Sequence, residues 1–86
     1  MKADFTIYRY KNGSLDTMTS SADTYPSRER ALAAAQAQAE YWFTIFKMNY
    51  KSCEMQKDGE GATIWFTDNN GNRCRSHYKV SVWNNL

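Results

Sequence analysis

With 86 residues the chain forms one domain whose core is large enough to fold and too small to enclose a deep substrate pocket as well, so function is expected at a surface. Its 42% hydrophobic and 23% charged residues are those of a soluble globular protein, and no apolar run approaches the roughly 18 residues of a membrane span. A net charge of +2 excludes both a polybasic nucleic-acid condenser and an acidic DNA mimic.

The opening Met1-Lys2-Ala3-Asp4-Phe5 lacks the apolar stretch and cleavage site of a signal peptide, which makes a cytoplasmic location the expectation. Asp4 to Lys11 is rich in β-branched and aromatic residues and breaks at Asn12-Gly13, the dipeptide of a two-residue type I′ hairpin turn, with a return strand from Leu15 to Thr19. That turn sets Ile7 opposite Met18 and Tyr10 opposite Leu15. Phe5, Ile7 and Met18 then share the face assigned to the core, and Tyr8, Tyr10 and Leu15 share the other. Ser20 to Tyr25 reads as a polar turn.

A helix is predicted from Ser27 to about Met48. Ser27 caps it, and Glu29 suits the positive end of its dipole. Arg28 and Arg30 oppose that dipole at about 0.3–1 kcal/mol each; they are either solvated or offset by a carboxylate or an anionic partner. Leu32, Ala35, Ala39, Trp42, Phe43 and Phe46 recur at helical spacing and form the stripe assigned to the sheet. Small residues precede large ones, so the helix should approach the sheet closely at its start and stand off at its end. Its length of about 31 Å exceeds strands of roughly 20–27 Å, so the aromatic end should overhang the sheet or bend around it. Tyr41, Ile45 and Met48 continue a second apolar line from Ala34 and Ala37. That line is either wrapped by the chain termini or is a self-association or partner surface. Asn49 is expected to end the helix in a left-handed conformation.

Three strands should follow. Ser52 to Lys57 points Cys53 and Met55 inward, Asp58 to Gly61 turns the chain, and Ala62 to Thr67 points Ala62, Ile64 and Phe66 inward. At Asp68-Asn69-Asn70-Gly71-Asn72, a two-residue turn would put Phe66 opposite Arg75 and mix core with surface. A three-residue loop, Asn69 to Gly71 with Gly71 left-handed, puts Phe66 opposite Cys74 and Ile64 opposite Ser76, and is the prediction. Cys53 and Cys74 then lie about 9.6 Å apart across an intervening strand, beyond the ~7 Å Cα limit for a disulfide. Both are expected to be buried, free thiols, and neither has the paired spacing of a zinc or redox motif.

The last strand alternates Arg73, Arg75, His77 and Lys79 with Cys74, Ser76, Tyr78, Val80 and Val82. The cations should face away from the helix, beside Tyr8, Tyr10 and Trp65, with Trp65 opposite Arg75 and stacked under its guanidinium. Such a face suits single-stranded nucleic acid or an acidic protein. The plainer reading is a solvated sheet face whose charges protect a strand edge. Chemistry is not indicated: His77 has no adjacent carboxylate to orient it, the cysteines point inward, and the acidic turns lack the spacing of a calcium loop. No catalytic residue, metal or cofactor is expected.

The order of a strand, a helix beginning PSRERALAAA and strands around ATIWFTDNNGNRCR resembles small proteins of phages and mobile elements, including some type I anti-CRISPR proteins. The resemblance covers most of the chain as an arrangement and transfers no functional residue. It implies a helix packed on an antiparallel sheet, and an inhibitor that binds a host nucleoprotein complex through a surface, often a basic one near the nucleic-acid path.

The expected fold is α+β: four or five antiparallel strands with one long helix across one face, in the order β-β-α-β-β-β. The expected function is a non-enzymatic binding or inhibitor protein that occludes a host protein or ribonucleoprotein complex. Its contact residues would be Arg73, Arg75, His77, Lys79, Trp65, Tyr8 and Tyr10. Direct nucleic-acid binding by the same face is one alternative, and a homodimer joined through Tyr41, Ile45 and Met48 is another.

Overall fold

Alternating inward residues, turn glycines and one helix cap give the chain its path. The computed structural model describes residues 2–83. Met1, and the last residues of the terminus invoked to wrap the helix end, lie outside them. The elements are β1 (Lys2–Lys11), β2 (Ser14–Ser20), α1 (Arg28–Asn49), β3 (Lys51–Asp58), β4 (Gly61–Thr67) and β5 (Arg73–Trp83). All five strands form one antiparallel sheet in the order β2-β1-β5-β4-β3. The last strand thus pairs between the first hairpin and the second, and the α+β arrangement is the expected one. No helix of the described residues is long and apolar enough to cross a membrane.

The core lies between α1 and one face of the sheet. Ala3, Phe5 and Ile7 of β1, Ala62 and Ile64 of β4, and Tyr78 and Val80 of β5 meet Ala31, Ala35 and Ala39 of α1. Burying each large apolar side chain contributes roughly 1.5–3 kcal/mol, and the three alanines let the helix lie close enough for that burial. The predicted stripe is therefore corrected at its edges. Ala31 belongs to it, Leu32, Phe43 and Phe46 are half-buried beside it, and Trp42 is exposed. At the far end Phe46 rests on Phe66 with ring centroids 4.8 Å apart, and Tyr50 stacks on Phe66 at 4.7 Å. Bulky rings replace alanines there and keep the helix end on the sheet.

Ser27 caps α1 by accepting a hydrogen bond from Arg30 N–H at 3.2 Å. Arg28 is not simply solvated: its guanidinium donates to the Gly59 carbonyl at 2.6 Å. Gln36 donates to the carbonyls of Asp58 and Gly61 at 2.9 and 3.2 Å. Both side chains tie the helix to the β3–β4 turn, which is why a first-turn cation is tolerated. At the other end Asn49 stays helical, its side-chain amide donating to the Ile45 carbonyl at 2.8 Å, and Tyr50 ends the helix in an extended conformation. The positive φ expected at Asn49 falls on Ser52 (φ 53), where β3 shifts register against β4 between Lys51 and Glu54.

Two further predictions meet the structure at turns. The β4–β5 loop has the expected register, Phe66 opposite Cys74 and Ile64 opposite Ser76, with Gly71 at φ 83. The β1–β2 hairpin keeps Tyr10 opposite Leu15, but a register shift between Arg9 and Tyr10 leaves Asp16 without a partner. Met18 therefore pairs with Tyr8 instead of Ile7, and it leaves the core face for the opposite one. Gly61 opens β4 at φ 154, where the Tyr78 carbonyl passes so close that a Cβ would lie 1.7 Å from its oxygen. Cys53 and Cys74 are free thiols on β3 and β5 with β4 between them, half-buried where burial was expected to be complete.

Candidate binding surface

Helix α1 rests on β1, β3, β4 and β5 from one side. Among the described residues no element covers the other side. Alternation from buried Ser76 and Tyr78 places Arg73, Arg75, His77 and Lys79 on that uncovered face, as predicted. Pairing then assembles two cross-strand rows. One runs Leu15, Tyr10, Arg75, Trp65 and Glu54; the other runs Met18, Tyr8, His77, Thr63 and Gln56. All seven predicted contact residues thus lie on one surface.

Within the first row the Arg75 guanidinium sits over Tyr10, 4.1 Å from the ring centroid. This corrects the expected stack on Trp65. Both rings flank Arg75 across the ladder, and the side chain leans to the β1 side, leaving Trp65 39% exposed. A stacked guanidinium loses rotamer freedom while its edge N–H groups stay available to a carboxylate or phosphate. In the second row the Thr63 hydroxyl lies 2.9 Å from His77 Nδ1, and Tyr8 and His77 rings are 6.3 Å apart. His77 Nδ1 is thereby occupied, and Nε2 is the nitrogen left for a partner.

Arg73 is held through its backbone. Its N–H donates to Asn12 Oδ1 at 2.9 Å, and its carbonyl accepts from Asn12 N–H at 2.7 Å. Asn12 also donates to Asn72 Oδ1 at 2.8 Å. The β1–β2 turn and the β4–β5 loop are thus bolted together at one end of the face, and Asn12 at φ 50 makes the contact. Asp68 organises the loop from its other side, accepting from the backbone of Asn70 and Asn72 and from the Asn72 side chain. Those bonds, the Asn72 side chain's foremost, hold its carboxyl below the usual aspartate range.

Two open depressions flank the Arg75–Trp65 pair. One of about 300 Å³ is lined by Tyr10, Trp65, Thr67, Arg73 and Arg75; the other, of about 240 Å³, by Thr63, Trp65, Arg75 and His77. Among the described residues the salt bridge is Lys57 to Glu40 at 2.6 Å, so Arg73, Arg75 and Lys79 have no carboxylate partner. The described residues contain no metal-binding cluster. Burial raises both thiols, and the nearby Asp68 charge raises Cys74 further, which makes them poor nucleophiles.

Leu15 and Met18 were not in the predicted site. They are 55% and 62% exposed; Leu15 lies opposite Tyr10 on the face expected for it, and the unpaired Asp16 brings Met18 onto that face beside Tyr8. The signal that could have found Met18 is a run of residues from Ser14 to Ser20 with too few apolar side chains to fix a register. Tyr41, Ile45 and Met48 lie elsewhere, on the helix behind the sheet. Tyr41 is 63% and Met48 79% exposed, Ile45 is half-buried, and Trp42 joins them through an edge-on contact with Tyr41 at 5.4 Å.

No family model, curated protein or solved structure matches the chain.

Proposed function

We propose that the protein is a non-enzymatic binding protein that occludes a surface of a partner protein or ribonucleoprotein complex with the outer face of its sheet. This is the kind of inhibitor that the resemblance to phage anti-CRISPR proteins implies. The observation that carries the reading is the company kept by the cations: Leu15, Met18, Tyr8, Tyr10 and Trp65 surround Arg75 and His77 on a face that no described element covers. Aromatic residues, methionine and arginine are the types enriched at the centre of protein interfaces, and tryptophan, tyrosine and arginine carry most of their binding energy. Exposed leucine and methionine gain more from a protein's side chains than from phosphates and base edges. Cations that form no salt bridge among the described residues favour a partner surface that is acidic around an apolar centre.

The second reading is direct binding of single-stranded nucleic acid. The stack of Arg75 on Tyr10 beside an exposed Trp65 favours it, since bases stack on such rings and phosphates pair with such cations.

Capture from a bacterial lysate separates the two. Tagged protein is compared with its Arg73→Glu/Arg75→Glu variant, with and without nuclease treatment. The protein-partner reading predicts a specific protein retained after nuclease and lost with the variant. Retention by the variant counts against the face. Loss of all capture on nuclease treatment, together with oligonucleotide binding that weakens steeply with salt, favours the second reading.

A further inference from the structure

The two edges of the sheet differ in how they are protected. Edge strand β3 carries Lys51, Glu54, Lys57 and Asp58 and bulges near Ser52. Charges and bulges of this kind block the addition of further strands. Edge strand β2, Ser-Leu-Asp-Thr-Met-Thr-Ser, has Asp16 as its sole charge, located in the bulge, and the stretch from Thr17 to Ser20 is regularly paired with β1. Every residue of β2 is exposed, because α1 does not reach it from the other side.

Its hydrogen-bonding groups are directed. The Ser21 N–H donates to the Phe5 carbonyl at 2.8 Å. In an antiparallel ladder main-chain groups alternate between the two sides of a strand, so those of Thr19 turn toward β1 and those of Met18 and Ser20 turn to the open edge. The two side-chain layers along this edge differ as well. On the outer face are Leu15 and Met18. On the helix side Arg9 extends across β2, its Nη1 donating to Thr19 Oγ1 at 3.5 Å.

We propose that β2 accepts an extended segment of the partner as an added strand, with alternate apolar side chains over Leu15 and Met18 and alternate carboxylates facing Arg9. The inference rests on the protein-binding reading above and names the form the partner takes. Main-chain bonds to Met18 and Ser20 supply affinity, and the two unlike side-chain layers supply selection. A second copy of this chain fits less well. Pairing β2 with itself about a two-fold axis would turn two Arg9 side chains toward each other on the same face.

The test uses short synthetic peptides that alternate valine with glutamate or valine with lysine, and follows amide hydrogen exchange of the full chain by NMR. With the glutamate peptide in excess, exchange at Met18 and Ser20 slows roughly tenfold or more, while the lysine peptide leaves it unchanged. Met18→Pro removes an outward N–H, which edge strands tolerate, and abolishes the effect. Arg9→Glu keeps that N–H and reverses the preference between the peptides, so the proposal stays testable if the proline variant fails to fold. Absence of protection at both amides, or equal protection by both peptides, overturns the proposal. Protection that grows with protein concentration alone overturns it in favour of self-pairing. Peptide-induced shifts confined to Trp65, Arg75 and His77 would overturn the edge while leaving the outer face standing.

Discussion

Replacing Gly61 by alanine should damage the fold out of proportion to one methyl group. The added Cβ would lie 1.7 Å from the Tyr78 carbonyl oxygen and 2.8 Å from its carbon, whereas real Cβ contacts essentially never fall under 3.0 Å. Both partners in the clash are backbone, so no rotamer relieves it, and β4 must separate from β5 at this point. The separation weakens the bond from Val80 N–H to the Glu60 carbonyl (2.9 Å) and that from Gln36 to the Gly61 carbonyl (3.2 Å). Two such bonds contribute about 0.5–1.5 kcal/mol each, and forcing a side chain to φ 154 costs roughly a further 1–3 kcal/mol. The expected loss is about 2–6 kcal/mol, a large share of the ~5–15 kcal/mol that holds a small domain together. Urea unfolding followed by tryptophan fluorescence measures it. Gly59→Ala is the control, since its Cβ meets nothing within 4 Å, and should change stability by under about 0.5 kcal/mol. A Gly61→Ala loss below about 1 kcal/mol would refute the close approach.

Other outcomes follow from the same geometry. Ala35→Leu, at a fully buried position where the helix meets the sheet, should cost roughly 1–3 kcal/mol by overpacking, measured by the same urea titration. Burial raises the Tyr78 hydroxyl from 10 to about 12, so its contribution is fully present below pH 10 and is lost as pH rises through 12. The loss amounts to roughly 2–3 kcal/mol, and Tyr78→Phe should flatten the alkaline limb of a stability-against-pH profile. Asp68, held low by its bonds from Asn72, contributes above the usual aspartate range and loses that contribution as pH falls through its lowered value. Amide exchange at Asn70 and Asn72 should therefore accelerate on acidification, and Asp68→Ala should show the fast exchange already at neutral pH.

Which parts of this molecule could be read in the chain depends on how strongly a wrong choice is penalised. At the β4–β5 loop the alternative register would bury Arg75 beside Phe66, and Gly71 supplies the left-handed residue that the correct one needs, so the pairing was legible. At the β1–β2 hairpin, Asp16, Thr17, Thr19 and Ser20 sit equally well on either face, so nothing in the pattern excludes the bulge that turns Met18 outward. Helical spacing places Ala35 and Ala39 on the core stripe, whereas it does not show that close packing admits Ala31 to it and leaves Trp42 at the surface. Strand order is encoded in long-range packing and not in any local segment. The partner of Arg75 followed from it: only once β5 lies beside β1 does Tyr10 compete with Trp65 for the guanidinium.

Site-specific photocrosslinking tests the proposed face most directly. Benzoylphenylalanine is incorporated in place of Trp65, on the outer face, or in place of Met48, at the exposed helix end, and each variant is irradiated in nuclease-treated bacterial lysate. A discrete protein adduct is expected from position 65, abolished by Arg75→Glu, and none from position 48. An adduct from position 48 alone would contradict the proposed face and move the contact surface to the helix.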